Sequence, residues 1–312
     1  MISPCIAQQP IDDVLAGLRS HRKHLPCRLL YDARGAALFE EITQLEEYYV
    51  TRSELALLDD SLPAIARAIG PHARVIEPGS GAGRKTRMLL DVLDRPAAYV
   101  PIDVSEEQLA ENARTLRAEY ADLEVAPLHA DYTQSLALPS VRAPFDRTVV
   151  FFPGSTIGNF EPDEARGFLG RLGVLAGPRA MLLLGADSNG DVESLMHAYD
   201  DSLGVTAQFD LNVLAHLNHT HDATFDLGAF MHRATWDPQR SRIEMHLVSR
   251  RRQTVLVNNE RFELERGEVI VTEHCYKHRP EVLASLLDGA GWHVRHVFPD
   301  PHGRMRLWLA ER

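Results

Sequence analysis

The chain has 312 residues, 45% of them hydrophobic and 25% charged, with a formal net charge of -11. That profile describes a globular protein able to bury a sizeable core, and the acidic balance argues against a nucleic-acid partner, which needs clustered Lys and Arg. Three widely spaced cysteines (Cys5, Cys27 and Cys275) give neither a disulfide framework nor a metal knuckle.

In chain order, MISPCIAQQPIDD turns acidic before it builds an apolar core and does not read as a signal peptide. No stretch approaches the ~20 apolar residues of a membrane span. Cytoplasmic location, a small-molecule partner and no metal are the expectations. The first fifty residues precede the first core strand. ARVIEP (73–78), AAYVPID (97–103), LEVAPLHAD (123–131), RTVVFFPG (147–154) and RAMLLLGAD (179–187) are apolar runs with little alternation. Strands buried on both faces of a parallel sheet read this way. Between them lie helical segments. Ser105 with Gln108 has capping-box spacing, and Pro162 suits a first helical turn. The alternation predicts a doubly wound α/β sheet.

From about residue 203 the texture changes. AFMHRATW, SRIEMHLVSR and QTVLVNNERFELERG predict antiparallel strands, with Asn258-Asn259 as a turn. The run Arg250–Arg252 reads as a solvated loop or strand end. HLNHTHD (216–222) matches no metal motif and reads as a solvated turn. RPEVLASLLDGAGW then predicts a helix, and HVRHVFPD with RMRLWLA a closing hairpin. The β-rich section is therefore an insertion in the α/β domain, and the first fifty residues are expected to pack with it.

VIEPGSGAGRKT (75–86) is the sharpest local motif: a strand ending in an acid, then Gly79, Gly81 and Gly83, then a helix. Glycines let backbone approach a nucleotide-like ligand. The spacing is G-x-G-x-G, and Arg84 stands where a dinucleotide fingerprint wants its third glycine. Glu77 suits a cationic ligand better than a pyrophosphate, and S-adenosylmethionine carries a sulfonium and an amine but no phosphate. Asp103 ends the second strand, where a carboxylate accepts from ribose hydroxyls, and Asp131 ends the third, within reach of an adenine amino group. Singly, each has a plainer reading as a turn or helix cap; in this order they favour a methyltransferase. After the fourth strand, FFPGSTIGNF (151–160) sets Gly154, Ser155, Thr156, Gly158 and Asn159 in a polar loop, where an Asn can hold an α-amino or carboxylate group.

With these blocks, the sequence resembles the L-histidine Nα-methyltransferases of ergothioneine biosynthesis, which make the betaine hercynine. LLYDARGAALFEEITQLEEYYVTRSE (29–54), the glycine loop, YVPIDVSEEQL, FFPGSTIGNF, AYDDSLGVTAQFDLNVL (198–214), IEMHLVSRR (243–251) and VTEHCYKHRP (271–280) carry the resemblance over nearly the full length. It implies a Rossmann-like class I methyltransferase sheet with an inserted, smaller α+β substrate-binding domain. The implied bounds are 53–189 plus 277–312 for the S-adenosylmethionine-binding domain and 1–52 plus 190–276 for the other. By motif, Tyr31 and Asn159 take catalytic roles at the α-amino group. Tyr48 faces the imidazole, Asn159 and Tyr199 grip the amino and carboxylate groups, and Gly154 lies with them. Met245 packs on the ring, and Glu273 accepts from an imidazole nitrogen. Phe39, Gly79, Gly81, Lys85, Asp103, Asp131 and Tyr132 fall on the cofactor side. The implied partner is L-histidine and the implied state a monomer.

One block departs from the pattern. Cys275 stands where the family has a serine, and His278 where it has an aromatic hydrocarbon ring. Two alternatives follow from the residues: an Nα-methyltransferase of tryptophan or another aromatic amino acid, and, more remotely, a nicotinamide-dependent oxidoreductase.

Overall fold

The computed structural model describes residues 11–81 and 83–312; Cys5 lies outside them. The described residues divide into two compact units: one holds Tyr49–Gly190 and Lys277–Arg312, the other residues 11–48 and Asp191–Tyr276. Among the described residues, no helix is long and apolar enough to cross a membrane.

The larger unit is built on one sheet. Its strands are β1 (Ala73–Pro78), β2 (Ala98–Asp103), β3 (Glu124–Val125), β4 (Leu128–His129), β5 (Arg147–Phe152), β6 (Met181–Asp187), β12 (His293–Pro299) and β13 (Met305–Glu311). The order is β12-β13-β6-β5-β1-β2-β3, with β4 also on β2. β1, β2, β5 and β6 run parallel, while β13 is antiparallel to both β6 and β12. The strand order reverses at the β1–β5 junction, the topological switch point where ligands of such sheets bind.

Both faces are covered, which is why the runs lack alternation. On β5, Val149 and Phe151 pack with Leu58 and Ile65 of α3 (Tyr49–Ile69), Leu89 of α4 (Arg84–Val92) and Leu116 of α5 (Glu106–Glu119). Val150 and Phe152 pack on the opposite face with Phe168 of α6 (Pro162–Ala176) and Leu287 of α9 (Pro280–Gly289).

Two local expectations are corrected. The third strand is split into β3 and β4 around Pro127, which has no N–H to give to a ladder. Ser105 caps α5 without a side-chain bond; its N–H donates to Asp103 Oδ1 at 3.1 Å instead. A capping box does form on α6, between Glu161 and Glu164, with Pro162 in the first turn.

The smaller unit combines α1 (Ile11–Arg19), a 3-10 turn at Cys27–Leu30, α2 (Ala33–Gln44), α7 (Val192–Tyr199) and α8 (Val205–Thr220) with two antiparallel sheets. β7 (Phe230–Asp237), β8 (Arg242–Ser249) and β11 (Val269–Tyr276) form one in the order β11-β8-β7. β9 (Gln253–Val257) and β10 (Glu260–Leu264) form a hairpin. Its turn residues Asn258 and Asn259 have φ of 49° and 64°, a left-handed pair that Asn tolerates. The insertion thus opens with two helices that the texture of the sequence did not announce. HLNHTHD is not a solvated turn but largely the end of α8, and His216 Nδ1 lies 2.8 Å from the Leu29 carbonyl. Arg251 and Arg252 pair with Asp226 and Glu265 at the surface.

The glycine of YDARG is fixed by space. A Cβ at Gly35 would sit 1.7 Å from the Leu30 carbonyl oxygen. Asp32 caps α2 by accepting from the Gly35 N–H at 2.7 Å, and the same oxygen accepts from Asn212 of α8 at 2.7 Å.

Candidate functional site

In the larger unit, the loop between β1 and α4 takes backbone conformations that L side chains resist: Gly79, Gly81 and Gly83 have φ of 71°, 49° and 72°. The Tyr132 ring lies against Gly79, 3.3 Å from where a Cβ would be. The Gly79 N–H donates to the Ile102 carbonyl at 2.7 Å, and Gly81 N–H donates to Asp103 Oδ2 at 3.2 Å. Asn112 donates to the Gly81 carbonyl. The glycine loop is therefore docked on the end of β2, and Gly79, Gly81, Asp103 and Tyr132 come together. Asp131, just past β4, uses Oδ1 to accept from the Thr133 N–H at 2.9 Å and hydroxyl at 2.6 Å.

Glu77, two residues before Gly79, is buried and accepts from Thr86 at 2.6 Å and Tyr99 at 2.5 Å. Burial pushes its carboxyl up to about 7, against the lowering effect of those two hydroxyls.

Lys85 does not project as a free cation. It pairs with Glu54, a fully buried acid on α3, whose two oxygens also take the Gly154 N–H at 2.8 and 2.9 Å. Glu54 thus ties the start of α4 to the loop after β5, and it rests on Gly185, where a Cβ would lie 1.8 Å from its Oε1. Glu54 does not stand out in the sequence. Its signal was an acid on the apolar stripe of α3, at helical spacing from Val50, Leu57 and Leu58.

Gly154 (φ 88°) and Ser155 (φ 60°) turn the chain out of β5 into the 3-10 turn Thr156–Asn159, which sets Asn159 at its end. Ser155 Oγ accepts from the Asp187 N–H at 2.9 Å. Asp187 ends β6 and is itself buried with Tyr49 and Lys277: the Tyr49 hydroxyl donates at 2.5 Å and Lys277 Nζ lies 2.8 Å away. Burial, first of all, raises the Tyr49 phenol, so it stays a donor. This triad was also missed in the sequence.

The donor set fits a cationic, phosphate-free ligand. Carboxylates and glycines rim the loop, its one lysine is neutralised, and the buried Ser80 hydroxyl has no hydrogen-bond partner among the described residues.

In the smaller unit an aromatic cluster joins Tyr31, Phe39, Tyr48, Tyr199 and Phe209. Ring centroids lie 5.6 Å apart for Tyr31–Phe39, 5.3 Å for Tyr31–Phe209, 6.2 Å for Phe39–Tyr48 and 6.2 Å for Tyr48–Tyr199. Phe39, expected on the cofactor side, packs among these tyrosines. Met245 of β8 and Glu273 of β11 are direct cross-strand partners, with Cys275 two residues further on the same strand. All three are buried. The Tyr199 hydroxyl lies 2.8 Å from Cys275 Sγ.

Burial and the Glu273 carboxylate dominate the electrostatics of this cluster. Burial raises the Tyr31 phenol well above its ordinary value, and the nearby Glu273 carboxylate, Tyr48 and two thiols add to the shift. Burial, then Glu273, likewise pushes the Cys27 thiol up to about 12. Both groups stay protonated at neutral pH. A box of neutral phenols around one carboxylate is suited to a cation or a polar ring bearing N–H donors.

Residues 11–312 match the model of the "Histidine-specific methyltransferase, SAM-dependent" family. The chain is 40% identical over 306 residues to a histidine N-alpha-methyltransferase of Mycolicibacterium smegmatis, covering 96% of this chain and 94% of that one. It is 38% identical to the histidine N-alpha-methyltransferase of Mycobacterium tuberculosis over the same shares of each chain. A crystal structure of a protein from Pyrococcus horikoshii OT3 superposes with a TM-score of 0.50 at 14% identity, covering 90% of this chain and 99% of that one, a likeness of fold.

Proposed function

We propose, because this chain belongs to the histidine-specific, S-adenosylmethionine-dependent methyltransferase family, that it methylates the α-amino group of L-histidine, in successive rounds, to the trimethylated betaine of ergothioneine biosynthesis. S-adenosylmethionine supplies a methyl group on a sulfonium, which is already a good leaving group. The new N–C bond forms as the C–S electron pair returns to sulfur, and the amine proton leaves to water.

The enzyme's own work is then positioning, where effective molarity lowers a barrier by on the order of 7–11 kcal/mol at best. In the larger unit, Gly79, Gly81, Asp103, Asp131 and Tyr132 would hold the cofactor. Lys85 acts there as the partner of Glu54, which supports the loops around it. Asn159, with Gly154 beside Glu54, would hold the α-amino group. In the smaller unit Tyr31 and Tyr48 would line the amino acid, Tyr199 would grip its polar end, Met245 would pack on the imidazole, and Glu273 would accept from an imidazole nitrogen. Phe39 would close the aromatic wall beside Tyr31, and Cys275 would stand at the ring's edge. The phenols also suit the growing ammonium through cation–π contact.

The observation that carries this reading is the buried carboxylate of Glu273, opposite Met245 and in electrostatic reach of Tyr31. The same reading takes the enzyme to act in the cytoplasm, where its two substrates are made, and as a monomer. Incubation with S-adenosylmethionine and each of the twenty amino acids, followed by mass analysis, tests it. Histidine should gain one, two and then three methyl groups. A gain on tryptophan or another aromatic amino acid instead would make Cys275, at the serine position, the determinant of a different ring.

A further inference from the structure

His232 lies on β7, buried, with both ring nitrogens facing acceptors. Nδ1 is 2.6 Å from Asp210 Oδ2 on α8, and Nε2 is 2.8 Å from the carbonyl of Tyr199, the last residue of α7. A neutral imidazole has one N–H and would set a lone pair against one of these oxygens; only the imidazolium donates to both. The groups around it agree. Asp210 faces it from α8 and Asp200 from the end of α7, while β8 presents the apolar Leu247 opposite. Burial opposes the charge, but Asp210, the Tyr199 carbonyl and Asp200 outweigh it and raise the pKa.

The other oxygen of Asp210 takes the hydroxyl of Thr272. Thr272 is the residue that the β11–β8 ladder skips: Val271 pairs with His246, then Glu273 with Met245. It is the extra residue of a β-bulge. Without it, Glu273 would pair with Glu244, one position along, and would turn to the other face of the sheet. Two carboxylates directly opposite repel. The bulge therefore decides that Glu273 shares a face with Met245.

We propose that the buried Asp210–His232 pair is a positioning device for substrate recognition: through Thr272 it fixes the bulge that aims Glu273, and through the Tyr199 carbonyl it fixes the end of α7 that carries the Tyr199 side chain. The inference rests on the substrate roles given to Glu273 and Tyr199 above. None of the three positioning residues touches the reacting atoms in this account.

The test uses Thr272→Val, Thr272→Ser and Asp210→Asn in the full chain. Thr272→Val and Asp210→Asn should raise KM for histidine about tenfold or more, the scale of a lost hydrogen bond to a charged group, with S-adenosylhomocysteine affinity unchanged. Thr272→Ser, which keeps the hydroxyl, should restore KM. Imidazole NMR of the substrate-free protein should show His232 titrating above its ordinary value, and Asp210→Asn should bring its titration down. If Asp210→Asn does not fold, the Thr272 pair and the wild-type titration decide. Wild-type KM in Thr272→Val, or a His232 that titrates at its ordinary value, would overturn the proposal. If the wild type does not methylate histidine at all, the substrate reading fails first, and the titration still reports on the pair.

Discussion

Glu54 offers the sharpest test of how the larger unit is held. Replacing it with Ala removes a fully buried carboxylate, the partner of Lys85 and the acceptor of the Gly154 N–H. Breaking a buried pair from one side costs about 3–5 kcal/mol. Lys85, with 19% of its side chain exposed, can turn partly to water, which favours the lower end. The part-buried Gly154 N–H loses its acceptor, and an orphaned donor costs at most about 1–3 kcal/mol of that sum. At roughly 2–4 °C per kcal/mol for a unit of this size, the melting temperature should fall by about 10 °C. Because the start of α4 and the loop after β5, both next to the proposed cofactor loop, lose their tie, affinity for S-adenosylhomocysteine by titration calorimetry should weaken about tenfold. Glu54→Gln keeps an acceptor for Gly154 but no charge for Lys85 and should fall between. A Glu54→Ala protein that melts within about 2 °C of wild type and binds S-adenosylhomocysteine unchanged would refute the reasoning.

Four further outcomes follow. Asp103→Ala should weaken S-adenosylhomocysteine binding by about 1–3 kcal/mol, the loss of a carboxylate that also anchors Gly81, while calorimetry with histidine stays near wild type. Glu273→Ala should do the reverse, and an unchanged histidine affinity would remove Glu273 from the substrate site. With its carboxyl near 7, Glu77 should lose its remaining proton when a cation binds beside it; calorimetry in buffers of different ionisation enthalpy at pH 7 should detect about half a proton released, absent in Glu77→Gln. Burial and then Lys277 push His278 down to about 4. The fold holds it neutral, so its contribution is whole above the unfolded value near 6.5 and is lost as pH falls from there to 4, roughly 3 kcal/mol in all. His278→Phe should flatten that acid limb of the urea-stability profile.

Much of the larger unit was legible because its signals are local. Apolar runs without alternation mark doubly covered strands, and the glycines at 79, 81 and 83 mark a loop whose backbone φ only they adopt readily. The turn at Asn258-Asn259, the Pro162 helix start and the closing hairpin were legible for the same reason. Less legible were features whose cause lies elsewhere in the chain. The helix α8 carries buried polar residues, Asp210 and Asn212, that blur an apolar stripe until their partners on β7, β11 and Asp32 are in place.

The residues alone determined the parallel sheet and the acid-rimmed glycine loop, since propensity, periodicity and spacing act over a few neighbours; the aromatic and acidic side chains proposed for the substrate were picked out by resemblance to the family. Only the tertiary structure decided how those side chains are held: that Lys85 answers to Glu54 thirty-one residues away, that Asp187 closes on Tyr49 and Lys277, and that one extra residue in β11 turns Glu273 toward Met245. A buried charge or a bulge is stable only when distant groups meet it, so neither can be read before the chain has folded around it.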